Sequence, residues 1–350
     1  MTTRERAIHL AHAARHFPWL GLDSPEQLLE VVQLELGHAE ILDDFQPYGG
    51  HFAKAQSVPT ILHIVSGNTP HAALQSLIRG LLVGAHNLCK IPSAGLSEPE
   101  QFRALLPAEL ATKLEIHSAL TDEMWATARA VIVFGSDATI AHFRERIRPQ
   151  QTYLPHGHKV SLGVIFEDAA LVSPPLAARD ASLFDQQGCL SPHLFYVAEN
   201  PVAYAAALAL EMERFEATHP RAPITPGESS TIRALRDSYA FRIAAGEPFQ
   251  LWTSQPGTAW TVIYDPSPEF TASPLNRVVF VKPLPAHPAP VPHLSTIGLW
   301  PSTPENATRI LPFRPTRICR LGEMQHPAWT WHQDGAHTLA PLVEWVDFSG

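Results

Sequence analysis

The chain is poor in cysteine, carries no excess of positive charge and has no apolar run of the ~18 residues that a membrane span requires. Its three cysteines, Cys89, Cys189 and Cys319, are odd in number and scattered, so no disulfide framework is implied and a reducing compartment is expected. Lysine and arginine total 25 against 34 aspartates and glutamates, a formal net charge of -9 with a sequence pI near 6.1, which argues against a dedicated nucleic-acid binder. The stretch from Met1 to Trp19 mixes Arg4, Glu5, Arg6, His9, His12 and Arg15 with apolar residues, unlike a signal peptide. A soluble, cytoplasmic protein without a membrane span is the expectation. Internal repeats, low-complexity tracts and the GxGxxG dinucleotide fingerprint are missing as well.

Histidine, by contrast, is plentiful at 19 residues, and His156-Gly157-His158 brings two rings close in sequence. No other Cys/His/carboxylate motif of zinc spacing accompanies the pair, so no metal is expected.

With 350 residues and 45% hydrophobic content the chain can build two domains or one large α/β unit. The first ~55 residues read as helical and then loop-like: Pro25 to Leu36 has apolar residues at helical spacing behind the cap Ser24, and Gly49-Gly50 breaks the pattern. From residue 60 strands alternate with helices. Strands are expected at 60–65, through 88–91, at 114–116 and at 130–134, with helices over 71–84, from about 97, over 121–129 and ending near 147. Such βαβ units make a parallel sheet whose strand-end turns share one edge, where ligands bind. The turns here, Gly67-Asn68-Thr69, Pro92-Ser93-Ala94-Gly95 and Gly135-Ser136-Asp137, are small or polar.

A second region starts at Val160. It holds helices expected over 201–215 and 229–245, strands at 260–264 and 278–281, and 13 prolines between Pro256 and Pro315, which forces much of that stretch into loops, edge strands and turns. That stretch is expected to line a substrate entrance. The aromatic tail with Trp329, Trp331, His332 and Asp334 is expected to dock on the body. Between these features lies Asp185-Gln186-Gln187-Gly188-Cys189-Leu190-Ser191-Pro192-His193, which sets a cysteine between a glycine and a Ser-Pro turn ahead of a strand-like run. A thiolate is a strong nucleophile and the glycine admits a substrate carbonyl close to the backbone, so Cys189 is a candidate nucleophile; a buried packing cysteine is the bland alternative.

Four pieces, taken in order and with their separations, resemble one family: Leu62-His63-Ile64-Val65-Ser66-Gly67-Asn68-Thr69-Pro70, Cys89-Lys90-Ile91-Pro92-Ser93, Val133-Phe134-Gly135-Ser136-Asp137 and Asp185 to Pro192. The chain resembles the aldehyde dehydrogenase superfamily and, within it, the LuxC-type acyl-CoA reductases, closely over about residues 58–200 and again over 318–334. The resemblance implies an aldehyde-dehydrogenase-like α/β fold: N-terminal helices and a doubly wound parallel-sheet cofactor domain over 1–159, an α/β catalytic domain carrying the cysteine over 160–315, and a tail over 316–350 that packs back on the body.

Roles follow from the same resemblance. Cys189 is the nucleophile, and Asn68, with the backbone N–H of Cys189, donates to the oxyanion, a contribution typically of ~3 to 4 kcal/mol. Lys90 holds the adenosine ribose, Ser66, Gly67, Gly135 and Ser136 meet the cofactor at the strand-end turns, and Ser93 stands where many relatives carry a glutamate that binds the ribose hydroxyls. A glutamate there would repel a 2′-phosphate, so NADPH is expected over NADH. Hydrolytic members have a water-activating glutamate in a Glu-Leu-Gly-Gly-Lys-like motif; aligning its lysine on Lys159 puts Pro155 in its place. The reaction implied is therefore reduction of an acyl-CoA, or an acyl group on a carrier, to the aldehyde through a cysteine thioester. His158, ahead of His156, is the candidate proton donor or CoA contact. An acyl-activating enzyme as partner and a homo-oligomer are also implied. Two other readings stay open: a hydrolytic NAD(P)-dependent aldehyde dehydrogenase, and a non-catalytic acyl-binding subunit of a multienzyme complex.

Overall fold

The computed structural model describes residues 1–67, 70–168 and 170–349. The chain divides into two units: residues 1–158 with 328–350, and residues 159–327. Residues 316–350, read above as one tail, are thus shared between them.

In the first unit, α1 (Thr3–Ala14) begins with a reciprocal cap in which Thr2 Oγ1 accepts from the Glu5 N–H and Glu5 Oε2 accepts from the Thr2 N–H. Helix α2 (Pro25–Leu36) starts as expected behind Ser24, whose N–H donates to Gln27 Oε1 at 3.0 Å. The following residues are not a loop. Strands β1 (Gln46–Tyr48) and β2 (His51–Ser57) form a hairpin across Gly49-Gly50, both at positive φ, the backbone that a two-residue hairpin turn demands. The alternation that follows is β3 (Thr60–Ile64), α3 (Pro70–Val83), β4 (His86–Lys90), α4 (Glu98–Ala104), α5 (Ala108–Ala111), β5 (Leu114–His117), α6 (Asp122–Thr127), β6 (Ala130–Phe134), α7 (Asp137–Arg144) and β7 (Thr152–His156). The four pairings among β3 to β7 make one parallel sheet of order β5-β4-β3-β6-β7. Strand β7 had not been expected; it tolerates Pro155 because it is an edge strand.

Alternating residues explain why this sheet is covered on both faces. Ile61, Cys89, Ala130 and Ile132 pack with Leu74, Leu77 and Leu81 of α3, whereas Leu62, Ile64, Leu88, Val131 and Val133 pack with Met124 and Trp125 of α6.

The second unit contains β8 (Val160–Ile165), α8 (Pro174–Ser182), β9 (Pro192–Val197), α9 (Pro201–Thr218), α10 (Pro226–Ala244), β10 (Gln250–Thr253), β11 (Thr261–Tyr264), β12 (Val278–Pro283), β13 (Leu294–Trp300), α11 (Pro304–Ile310) and β14 (Arg317–Arg320). They form a sheet of order β10-β11-β12-β9-β8-β13-β14, parallel except for β10. The proline-rich stretch therefore supplies three interior strands, β11, β12 and β13. The expectation of loops and edges failed at β13 because its seven residues carry no proline and the prolines crowd its flanks. Leu162, Val164, Leu194 and Tyr196 face α10, while Ile165, Phe195, Val197 and Val281 face α8 and α9.

Finally β15 (Val343–Phe348) returns to the first unit and pairs antiparallel with β2, and Trp329 is buried with its Nε1–H donating to the Leu20 carbonyl at 3.2 Å. Among the described residues no helix is long and apolar enough to cross a membrane.

One buried polar pair ties β3 to β4 and α3. The His63 Nε2–H donates to Asn87 Oδ1 at 2.9 Å and Nδ1 accepts from the Ser76 hydroxyl at 2.8 Å. Burial, offset in part by the Asn87 bond, pulls the His63 pKa down to about 4. The unfolded chain takes up this proton near the ordinary value of about 6.5, whereas the fold refuses it until lower pH. Above pH ~6.5 the ring is neutral in both states and adds no pH dependence; below it, stability is lost by on the order of 3 kcal/mol as pH falls to about 4. His63→Gln should flatten the slope of unfolding free energy against pH over that window, measured by urea denaturation at several pH values. An unchanged slope would refute the assignment.

Candidate active site

The order β5-β4-β3-β6-β7 reverses direction between β3 and β6, so the turns that follow those two strands flank a topological switch point, where open α/β sheets bind ligands. The turn after β3 begins with half-buried Ser66 and exposed Gly67; Asn68, the expected oxyanion donor, lies outside the described residues. The Val65 N–H donates to the Lys90 carbonyl at 3.1 Å, which holds this turn beside the end of β4. Lys90 ends β4 half-buried, and among the described residues its ammonium makes no hydrogen bond or ion pair. Ser93 is exposed in a turn closed by the Gly95 N–H donating to the Pro92 carbonyl at 2.9 Å.

After β6, Ser136 caps α7 by accepting from the Thr139 N–H at 3.3 Å. A Cβ on Gly135 would stand 2.9 Å from Thr139 Cγ2, so only glycine lets the backbone pass this close to the cap. The two histidines differ. His158 is exposed, and its N–H donates to Asp137 Oδ1 at 3.0 Å. His156 ends β7 beside Phe134, stacks on that ring at 4.5 Å, and has Nδ1 2.7 Å from Asp334 Oδ2. Among the described residues no group of three His, Cys, Asp or Glu side chains could hold a metal ion.

The second unit holds the thiol. Cys189 is exposed, whereas Cys89 is buried and Cys319 half-buried, and burial pushes both of those thiols up to about 12. Since the thiolate is the nucleophile, neither of them is reactive near neutral pH. Cys189 sits in a turn closed by the Ser191 N–H donating to the Gly188 carbonyl at 3.0 Å, just ahead of β9. The Ser161 hydroxyl donates to the Cys189 carbonyl at 2.8 Å, and Gln325 Nε2 donates to Ser191 Oγ at 2.9 Å.

Upstream, Phe184, Asp185 and Gln186 all have positive φ, a run that costs about 1 to 2 kcal/mol per residue. A second such run, Leu275-Asn276-Arg277, lies against it. Side chains fasten the two: Asp185 to Arg277 at 2.7 Å, Gln187 Nε2 to Asn276 Oδ1 at 2.8 Å, and the fully buried Gln186, which accepts from the Val278 N–H and donates to the carbonyls of Val278 and Pro192. Sequence reading quoted the Asp-Gln-Gln run without foreseeing this bracing role, and Ser161, Arg277 and Gln325 had no sequence signal at all. The proline-rich loops do bound a cavity of about 300 Å³ lined by Tyr196, Phe270, Pro285, Val291 and Phe313. It lies at the far end of β9 from Cys189, ~13 Å along the strand by its rise per residue.

The fold is that of an aldehyde dehydrogenase. Aldehyde dehydrogenase 21 from Physcomitrella patens superposes with a TM-score of 0.69 at 12% identity, covering 99% of this chain and 86% of that one. An aldehyde dehydrogenase from Bacillus cereus, solved as its NAD+ complex, gives 0.67 at 12% identity, covering 99% and 84%. The family is narrower: the acyl-CoA reductase (LuxC) model matches residues 9–345, and the chain belongs to that family. Curated relatives include the long-chain acyl-protein thioester reductases of Aliivibrio fischeri, 24% identical over 277 residues, and of Photobacterium phosphoreum, 22% identical over 282. The matches cover 74% of this chain but 56% and 55% of those proteins, so the chain spans just over half the length of these relatives.

Replacing Gln186 by Ala removes three buried hydrogen bonds to backbone groups, each worth about 0.5 to 1.5 kcal/mol net. Gln186→Ala should lower stability by roughly 3 kcal/mol or more and raise the alkylation rate of Cys189 by iodoacetamide several-fold. Wild-type stability together with an unchanged alkylation rate would show that the brace is dispensable.

Proposed function

We propose that this protein reduces a long-chain acyl thioester to the aldehyde through a thioester on Cys189, with NADPH as reductant and acyl-CoA or an acylated carrier protein as donor. The observation that carries the reading is the single exposed thiol, held in a braced turn of a chain that belongs to the LuxC family. Cys189 Sγ attacks the acyl carbon and displaces the donor thiol. When bound, the nicotinamide cofactor supplies a hydride, and collapse of the thiohemiacetal frees the aldehyde and the thiol. Asn68 is assigned as the oxyanion donor.

The switch-point turns support a dinucleotide site: Ser66, Gly67, Gly135 and Ser136 for the pyrophosphate side, Lys90 and Ser93 for the adenosine ribose. The ammonium of Lys90, without a partner among the described residues, and the neutral hydroxyl of Ser93 suit a 2′-phosphate. Pro155, at the end of β7, leaves no carboxylate at the position assigned to water activation, which favours thioester chemistry over hydrolysis to the acid. His158 is retained as a CoA contact. The relatives' names point to an acyl-protein donor, so an acyl-activating enzyme is the partner to seek. Exposed Tyr48, Phe52, Trp345 and Phe348 on the three-stranded sheet support a homo-oligomer, and three free cysteines a reducing, cytoplasmic setting.

The test is hexadecanoyl-CoA with NADPH, followed by cofactor oxidation and aldehyde. Cys189→Ala should lower the rate at least ~10³-fold. An undiminished rate would refute the nucleophile, acid formed from aldehyde without CoA would favour the hydrolytic dehydrogenase, and acyl binding without turnover would favour a non-catalytic subunit. Ser93→Glu should lower the NADPH over NADH ratio of kcat/KM by at least tenfold; an unmoved ratio would remove Ser93 from the cofactor site.

A further inference from the structure

We infer that the cavity over β9 is a ligand site separate from the thiol turn, and that it takes a neutral aliphatic molecule with one oxygen at its head, an alcohol or an aldehyde. Every residue involved belongs to the second unit. The inference stands whether or not Cys189 carries an acyl group.

The cavity exists because two crossovers lack helices. The chain passes from β11 to β12 over residues 265–277 and from β12 to β13 over residues 284–293, and among the described residues neither segment contains a helix. Proline prevents one: Pro266, Pro268 and Pro274 interrupt the first, and Pro285, Pro288, Pro290 and Pro292 the second. A helix in either place would lay a row of side chains across the sheet. The irregular segments instead leave about 300 Å³, at the small end of the range for ligand cavities. At ~30 Å³ for a water-sized group, that is room for at least about ten non-hydrogen atoms.

The lining is apolar but for one buried group. Phe270, Pro285, Val291 and Phe313 make its walls and floor, while Glu269 and His287 are exposed at the rim. Tyr196 lines the same cavity and is only 1% exposed. Its ring stacks on Phe313 at 5.6 Å with 7° between planes, and the Val291 N–H donates to the Phe313 carbonyl at 3.1 Å, which ties wall to floor. A buried tyrosine ordinarily finds a partner for its hydroxyl. This one makes no hydrogen bond among the described residues. Nor is its oxygen sealed in, as the partnerless Ser295 Oγ is, so it opens onto the cavity. The partner must come from what fills the space.

The surroundings select the head group. Burial, and then the carboxylates of Asp265 and Glu269, push the Tyr196 phenol up to about 12, so near neutral pH it keeps its proton and can donate. Lys282, opposite Tyr196 on β12 and buried, gives its ammonium to Asp265 Oδ2 at 2.6 Å and to the Ser267 carbonyl at 3.3 Å. That pair leaves no buried cation for a carboxylate head, which Glu269 at the rim would repel. An ammonium head would meet only the exposed Glu269 and would lose its hydration against an apolar lining. A single uncharged oxygen accepts from the phenol at neither cost, and a saturated chain covers Phe270, Val291 and Phe313.

Calorimetric titration of the full chain with 1-decanol tests this, in the Cys189→Ala background so that the thiol takes no part. One decanol should bind per chain, and decanal should displace it, because either oxygen accepts the same hydrogen bond. Decanoate and decylamine should each bind at least tenfold more weakly. Tyr196→Phe, which deletes only the hydroxyl, should weaken decanol binding about three- to tenfold. Ala289→Trp, at the exposed rim, should abolish binding with the melting temperature unchanged. A crystal structure with 1-decanol should put its oxygen ~2.8 Å from Tyr196 Oη. No decanol binding, failure of decanal to displace it, equal affinity in Tyr196→Phe, or decanoate or decylamine binding as tightly as decanol would each overturn the inference. None of these outcomes bears on the turnover assay for Cys189.

Discussion

The buried amide of Gln186 is the contact on which the thiol turn depends. Three consecutive residues ahead of Gly188 take a backbone that L-amino acids avoid, and they do so only because one side chain satisfies three backbone groups on β9 and β12. The strain is local and the compensation comes from strands distant in sequence. Arg277, itself in a left-handed run, pairs with both Asp185 and Glu216 from a nearly fully buried position, so removing it would leave two carboxylates without their cation. The result is an exposed sulfur on a turn that cannot relax.

The side proposed for the cofactor follows a different logic. There the constraint is handedness: right-handed crossovers from β3 to β4 and from β5 to β6 send the chain to opposite faces, and the turns at the point of reversal are left facing outward. Ser66, Lys90, Ser93 and Gly135 need no side-chain contact with one another to share an edge. Parallel order alone brings them there. Residues proposed for that edge, such as Gly135 with its backbone close to the cap and Lys90 with no partner among the described residues, are therefore legible from spacing.

Legibility failed where partners come from far away. The Gly49-Gly50 hairpin carried its signal and was read as a break because its strands are short and one lacks alternation. Strand β13 hid among prolines that only flank it. In sequence His158 ranked ahead of His156, and nothing local announces the carboxylate of Asp334, 178 residues later, beside His156. The same holds for Ser161 on the Cys189 carbonyl and for Gln325 on Ser191.

The sequence alone determined the alternation of strands and helices, the turns at one sheet edge, and the Asp185 to His193 run with its one candidate thiol, because periodicity, glycine and proline act locally. The tertiary structure decided which cysteine is exposed, what braces its turn, and which histidine meets Asp334. Those properties depend on burial and on hydrogen-bond partners drawn from distant segments, which no local spacing encodes.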